Sequence, residues 1–339
     1  MPTPYRYTTP LPHKSATGRS AEVFAQIAED FGIEGAATFT VLSSAPELLA
    51  PTWALTRESL IAGEAPRTGK EIAALGVSLA NQCQFCVAAH TVLLHATGDH
   101  RLGEAIARGE VPKDPGQARL LAWAKATSSP APDARLPFPR AEAPAFVGTV
   151  LAFHFINRIA SALLTEKVLP GNAQKLRCVR SLAGRSVSKA VRRTPPPGLS
   201  LKLLDAPGPG PDWAAGTPVG PAYAALRTAA STGEGLLPKE DAAFVREAVA
   251  VWDGSHPPLH WPELPSRADR PGARLALLAA LAPYRVTDED VAAWLVPPHT
   301  DHCLVHLIAF GAFLAVDRVE QSLAAQLARA LTFTVKEAS

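Results

Sequence analysis

Apolar residues recur at three- and four-residue spacing along nearly the whole chain, and nowhere do they alternate with polar ones long enough to make a strand. That regularity restricts the fold class to all-α, helices packed on helices. Ala and Leu dominate the apolar set and lose little entropy in a helix. The expected helices cover residues 20–32, with Ser20 as N-cap and Gly32 as stop, and 46–62, with Leu48, Leu49, Trp53, Leu55 and Leu60 on its apolar positions. A third, capped by Thr68, runs to about Ala80. A fourth opens at Cys83 and stops at Gly98, and others follow over 99–108, 115–127 and 140–165.

Residues 166–212 interrupt this pattern with Pro195-Pro196-Pro197-Gly198 and Pro207-Gly208-Pro209-Gly210-Pro211, and read as a connector. Helical periodicity resumes near Pro221 and continues to about Phe333. The expected organisation is a helical domain over 1–165, a Pro/Gly-rich basic connector over 166–212, and a second helical domain over 213–339. The two domains resemble each other. The Phe153 to Leu163 segment has a counterpart at Phe313 to Leu323, and Lys70-Glu71 has one at Lys239-Glu240. The offsets differ, 160 against 169. In the second register Trp252 and Ser255 stand where Cys83 and Cys86 stand in the first, so the second copy is degenerate and has no thiol pair.

Net charge is only +2, which does not advertise a polyanionic partner. Lys175, Arg177, Arg180, Arg185, Lys189, Arg192 and Arg193 form a basic run, but no aromatic residue interleaves it. It reads as a solvated connector helix, with neither nucleic acid nor membrane as partner. Met1 to Gly18 has no apolar signal core, and the longest mostly apolar run, Leu304 to Val316, is too short to span a bilayer. The four cysteines, Cys83, Cys86, Cys178 and Cys303, are too few for a disulfide scaffold in a chain of 339 residues. A protein of the reducing cytoplasm is expected. Cys178 and Cys303 read as small apolar residues.

The chemistry concentrates in Cys83-Gln84-Phe85-Cys86, with His90 one helical turn further on. Two thiols three residues apart can close a disulfide and reopen it. If the third and fourth helices form an antiparallel hairpin turning near Asn81, Glu71 and His90 lie at the same height, and Cys86 shares a helix face with His90. His90 can then take the proton that Cys86 must lose to become a nucleophile, and Glu71 can orient and stabilise the imidazolium. Helix-dipole reasoning by itself favours Cys83 as the thiolate.

Glu71, twelve residues, Cys-x-x-Cys and x-x-x-His90 together resemble the alkylhydroperoxidase D-like branch of the carboxymuconolactone decarboxylase superfamily, and Asn157-Arg158 in an apolar helix fits the same group. The resemblance covers roughly residues 50–165. It implies an all-helical fold, homo-oligomers (here a dimer), a hydroperoxide substrate and a dithiol electron donor. It also implies a peroxidase site in which Cys86 is peroxidatic, Cys83 resolving, and His90 with Glu71 a proton relay. The family's name-giving member has a histidine between its cysteines; here that position is Phe85. No Gly-rich phosphate loop follows a strand, so no nucleotide, flavin or haem cofactor is expected.

Two rival readings share these residues. One is a thiol–disulfide reductase acting on a protein; the other is a non-catalytic module in which Cys83, Cys86 and His90 hold zinc with Glu71 or His95. Elsewhere, His302 and His306 are spaced i, i+4 and could bind a metal, but read more simply as local histidines at a helix start capped by Thr300 or Asp301. His154 is expected to be packed and hydrogen-bonded, and Arg158 to pair with a buried carboxylate.

Overall fold

The computed structural model describes residues 3–129, 135–165, 177–206 and 208–337, with side chains from 180 to 330 in the latter part. Among them the chain forms fourteen α-helices and no strand, beyond one antiparallel bridge between Tyr5 and Leu164. In the first half these are α1 (Gly18–Gln26), α2 (Ala37–Thr40), α3 (Pro46–Thr56), α4 (Arg67–Ala80), α5 (Gln84–Thr97), α6 (His100–Ala107), α7 (Pro115–Ala126) and α8 (Ala143–Leu163). The helix α9 (Arg177–Val191) precedes the second half, which comprises α10 (Val219–Ser231), α11 (Lys239–Ala250), α12 (Pro271–Leu281), α13 (Asp288–Trp294) and α14 (Asp301–Glu337).

The helix ends show why local sequence decides them. After α1 and one widened turn over Ile27–Phe31, Gly32 adopts φ +74°, which costs glycine nothing, and the helix stops there as expected. Gly98 closes α5 the same way at φ +112°. Two expected caps are displaced. Thr17 rather than Ser20 precedes α1, and Pro66 rather than Thr68 precedes α4, whose first turn lacks N–H partners and so tolerates proline next to it.

The axis of the core is α8, which is buried along almost its whole length. It packs against α4 on one side and α14 on the other. Helices of the two halves meet: α3 lies against α10, and α8 against α14, where the Phe155 and Phe313 rings sit 6.0 Å apart. Between α11 and α12 residues 251–270 run without a helix. Trp252 and Ser255 lie in this irregular stretch, where the Trp252 indole N–H donates to the Ser255 carbonyl at 2.8 Å.

Three expectations change. The apolar run at 304–316 is part of a 37-residue helix, and both α8 with its preceding turn and α14 are long and apolar enough to cross a membrane by length alone. The most apolar windows of the two are 94% and 72% buried inside the protein, as core helices are. The basic run is not solvated throughout: α9 lies along α5, burying Val187 and Val191 against Leu93 and Ala96. Arg180 there holds Glu104 (Nε to Oε1 2.9 Å), and Arg192 donates to the Ala96 carbonyl at 3.0 Å. Residues 166–176 of the expected connector, Lys175 among them, fall outside the described residues, as do the Arg177 and Cys178 side chains. Among the described residues Arg158 meets no carboxylate. Its guanidinium donates to the Ala280 carbonyl at 2.7 Å and the His154 carbonyl at 2.8 Å, and lies over the Trp252 ring. Burial alone lowers its pKa to about 9.

A buried ionic cluster ties the loop after α9 to the core. Arg57 contacts Asp30 at 2.7 Å and Glu58 at 2.8 Å. Glu58 in turn accepts from the backbone N–H groups of Gly198 and Ser200. With every member paired, the charges tolerate burial.

Candidate active site

The hairpin expected from spacing forms. α4 ends at Ala80, Asn81 and Gln82 turn the chain, and Cys83 caps α5. The turn forces Gln82 to φ +56°, a left-handed conformation that costs a side-chain-bearing residue on the order of 1 kcal/mol. The orphan carbonyl of Ala80 receives the His256 Nε2–H at 2.8 Å, while Tyr284 donates its hydroxyl proton to His256 Nδ1 at 3.1 Å. The irregular stretch after α11 therefore braces the turn between α4 and α5.

At that turn the Cys83 and Cys86 sulfurs stand 2.7 Å apart, both free thiols. Cys83 sits at the N-cap, where its sulfur accepts the Cys86 backbone N–H at 3.4 Å, an arrangement that favours a thiolate there. Cys86 is different. Burial pushes its thiol well above the usual range, and the adjacent Cys83 sulfur adds to the effect. One turn along, His90 Nδ1 lies 2.7 Å from Glu71 Oε2, the height match expected of the hairpin. With Nδ1–H donated to the carboxylate, Nε2 is left as a lone-pair acceptor. The Phe153 ring packs against the imidazole at 4.3 Å between centroids and limits its rotation.

Glu71 is fully buried, which by itself would raise its carboxyl. The Arg67 charge and the His90 hydrogen bond outweigh burial and hold it below the usual carboxylate range, so it is ionised. The Arg67 Nε contacts the other carboxylate oxygen at 2.8 Å. Sequence reasoning missed Arg67, although it stands four residues before Glu71 on one helix face, a readable pairing signal. A second network also went unread. His154, buried and held neutral, joins Asn81 of the turn (Nδ2 to Nδ1, 3.2 Å) to the Thr127 hydroxyl (2.8 Å). His154 is thus packed and hydrogen-bonded, as expected.

The four expected site residues stand in two pairs, Cys83 with Cys86 and Glu71 with His90, and the sulfurs are closed off. Cys83 is 1% exposed and Cys86 2%. Gln82 and Gln84 are exposed and Phe85 partly so.

The profile of the carboxymuconolactone decarboxylase family matches residues 46–126, which run from α3 through the hairpin to the end of α7. An alkyl hydroperoxide reductase of Mycobacterium tuberculosis is 37% identical over 324 residues, covering 91% of this chain and 92% of the relative, so the likeness extends through both halves. No solved structure matches the chain.

Proposed function

Because the chain belongs to the carboxymuconolactone decarboxylase family, in its alkylhydroperoxidase D-like branch, we propose that it is a thiol peroxidase reducing hydroperoxides at Cys86 and Cys83. The observation that carries this reading is the pair of free thiols 2.7 Å apart on a helix whose next turn presents a carboxylate-bound imidazole. The Cys86 thiol, held protonated by burial, needs a base, and His90 Nε2 is the acceptor one turn away. The Cys86 thiolate attacks one peroxide oxygen and the O–O bond breaks. The alcohol leaves with the proton that His90 carries, and Cys86 becomes a sulfenic acid. Cys83 condenses with it, forming the disulfide and releasing water. Glu71 stabilises the transient imidazolium, and Arg67 keeps Glu71 ionised. An external dithiol then attacks the disulfide, and Cys83, stabilised as thiolate at the helix start, is the better leaving group.

The buried sulfurs favour a small hydroperoxide over a protein disulfide, which is too bulky to reach them without unfolding the turn. The protein works as a dimer in the cytoplasm, where a dithiol donor keeps the pair reduced. Hydroperoxide consumption with dithiothreitol as donor tests the reading. Wild type turns over, while Cys86→Ser and Cys83→Ser do not; equal rates in all three would overturn it.

A further inference from the structure

A second constellation lies on other elements and has no part in that chemistry. Glu47, in the first turn of α3, projects toward His302 and His306, one turn apart on α14. Its Oε1 is 2.5 Å from the Nε2 of each histidine, and the ligand atoms of all three lie within 4.8 Å of one another. His306 is buried; Glu47 and His302 are about half exposed.

The hydrogen-bond inventory around His306 shows what this convergence needs. The Thr232 hydroxyl donates to the Ala229 carbonyl at 2.8 Å, so toward His306 Nδ1, 3.0 Å away, its oxygen can only accept. His306 Nδ1 therefore carries the proton. Nε2 is the nitrogen left to face the Glu47 carboxylate oxygen, which offers only lone pairs. A proton or a cation has to stand between them. A backing Nδ1–H bond of this kind is how metal-ligating imidazoles are oriented. Two imidazole nitrogens spaced i, i+4 plus one carboxylate is a donor set suited to zinc-class ions.

We propose that Glu47, His302 and His306 form a binding site for a divalent zinc-class cation that clips the first half of the chain to the second. In a tetrahedral site the donors stand roughly 3.3 Å apart, given metal–ligand bonds of about 2.0–2.1 Å. Glu47 and His302, both partly in solvent, need to draw back by less than an ångström to admit the ion. The remaining coordination position opens to water. Asp301 is not a ligand, since its carboxylate receives the Thr9 backbone N–H at 2.7 Å.

The test uses full-length protein stripped with a chelator, in a Cys83→Ser/Cys86→Ser background so that the thiols bind no metal. Zn²⁺ is titrated by calorimetry and Co²⁺ by visible absorption, for this protein and for added Glu47→Gln or His302→Gln. Both substituted side chains are half exposed and leave the fold intact, which circular dichroism checks. The expected result is one ion per chain, at least tenfold weaker in each variant, with Zn²⁺ raising the thermal midpoint of the parent and not of the variants. Absence of binding up to millimolar Zn²⁺, or binding of equal strength in parent and variants, overturns the site and leaves a proton as the bridging species.

Discussion

Lys70 is a charge carried into the core of α4, fully buried, with its ammonium donating to the Ala62 carbonyl at 2.9 Å. Burial lowers its pKa from 10.5 to about 8, with the neighbouring Arg67 charge assisting and Glu71 opposing. A base with a depressed folded pKa destabilises the native state while charged, because the unfolded chain binds the proton more tightly. The penalty is complete below pH 8 and fades as pH rises from about 8 to 10.5. At 1.36 kcal/mol per pH unit that gap amounts to about 3 kcal/mol, of which roughly 2.5 kcal/mol is recovered by pH 10. Lys70→Met keeps the volume and removes the titration. Urea unfolding of reduced wild type and Lys70→Met at pH 7, 8, 9 and 10 isolates this one group, since every other titrating residue is common to both. Wild type should gain about 2.5 kcal/mol on the variant across that range. A difference in stability that stays constant with pH refutes the argument, because it means Lys70 titrates alike in both states.

Other outcomes are open to direct measurement. Glu71→Gln keeps the shape but loses the charge beside His90, and should lower kcat/KM for hydroperoxide by at least about 10²-fold, a typical general-base contribution. Arg57→Ala strands Asp30 and Glu58 without their cation and should cost about 3–5 kcal/mol in urea unfolding. Gly311→Ala places a methyl 2.1 Å from the Ala276 carbonyl oxygen, where α14 crosses α12, and should lower stability by about 1–3 kcal/mol. Light scattering of the purified protein at micromolar concentration should return the mass of a dimer.

The helical order and the pairing of Glu71 with His90 were legible because both are written in local spacing. The 3.6-residue period marks each helix, and a hairpin with a turn at Asn81 fixes which α4 and α5 residues stand level, so Glu71 and His90 could be paired without coordinates. The burial of Cys83 and Cys86 was not legible, since it depends on how the flanking helices and the turn residues close over them. Contacts between distant segments left no local trace. Glu47 is 255 residues from His302, and nothing in either neighbourhood signals the other. The docking of α9 was likewise hidden, because its basic residues read as a solvated face while their partners, Glu104 and the Ala96 carbonyl, lie far back in the chain.

Two identical subunits are bound by symmetry to treat each other alike: any grip one takes on its neighbour's reactive bend must be returned. Joined on a single thread, the halves here escape that reciprocity. The half without the cysteine pair lends its irregular stretch, through His256, to steady a bend that belongs to the other. One part of the chain thereby serves as a vise for its neighbour on the same thread.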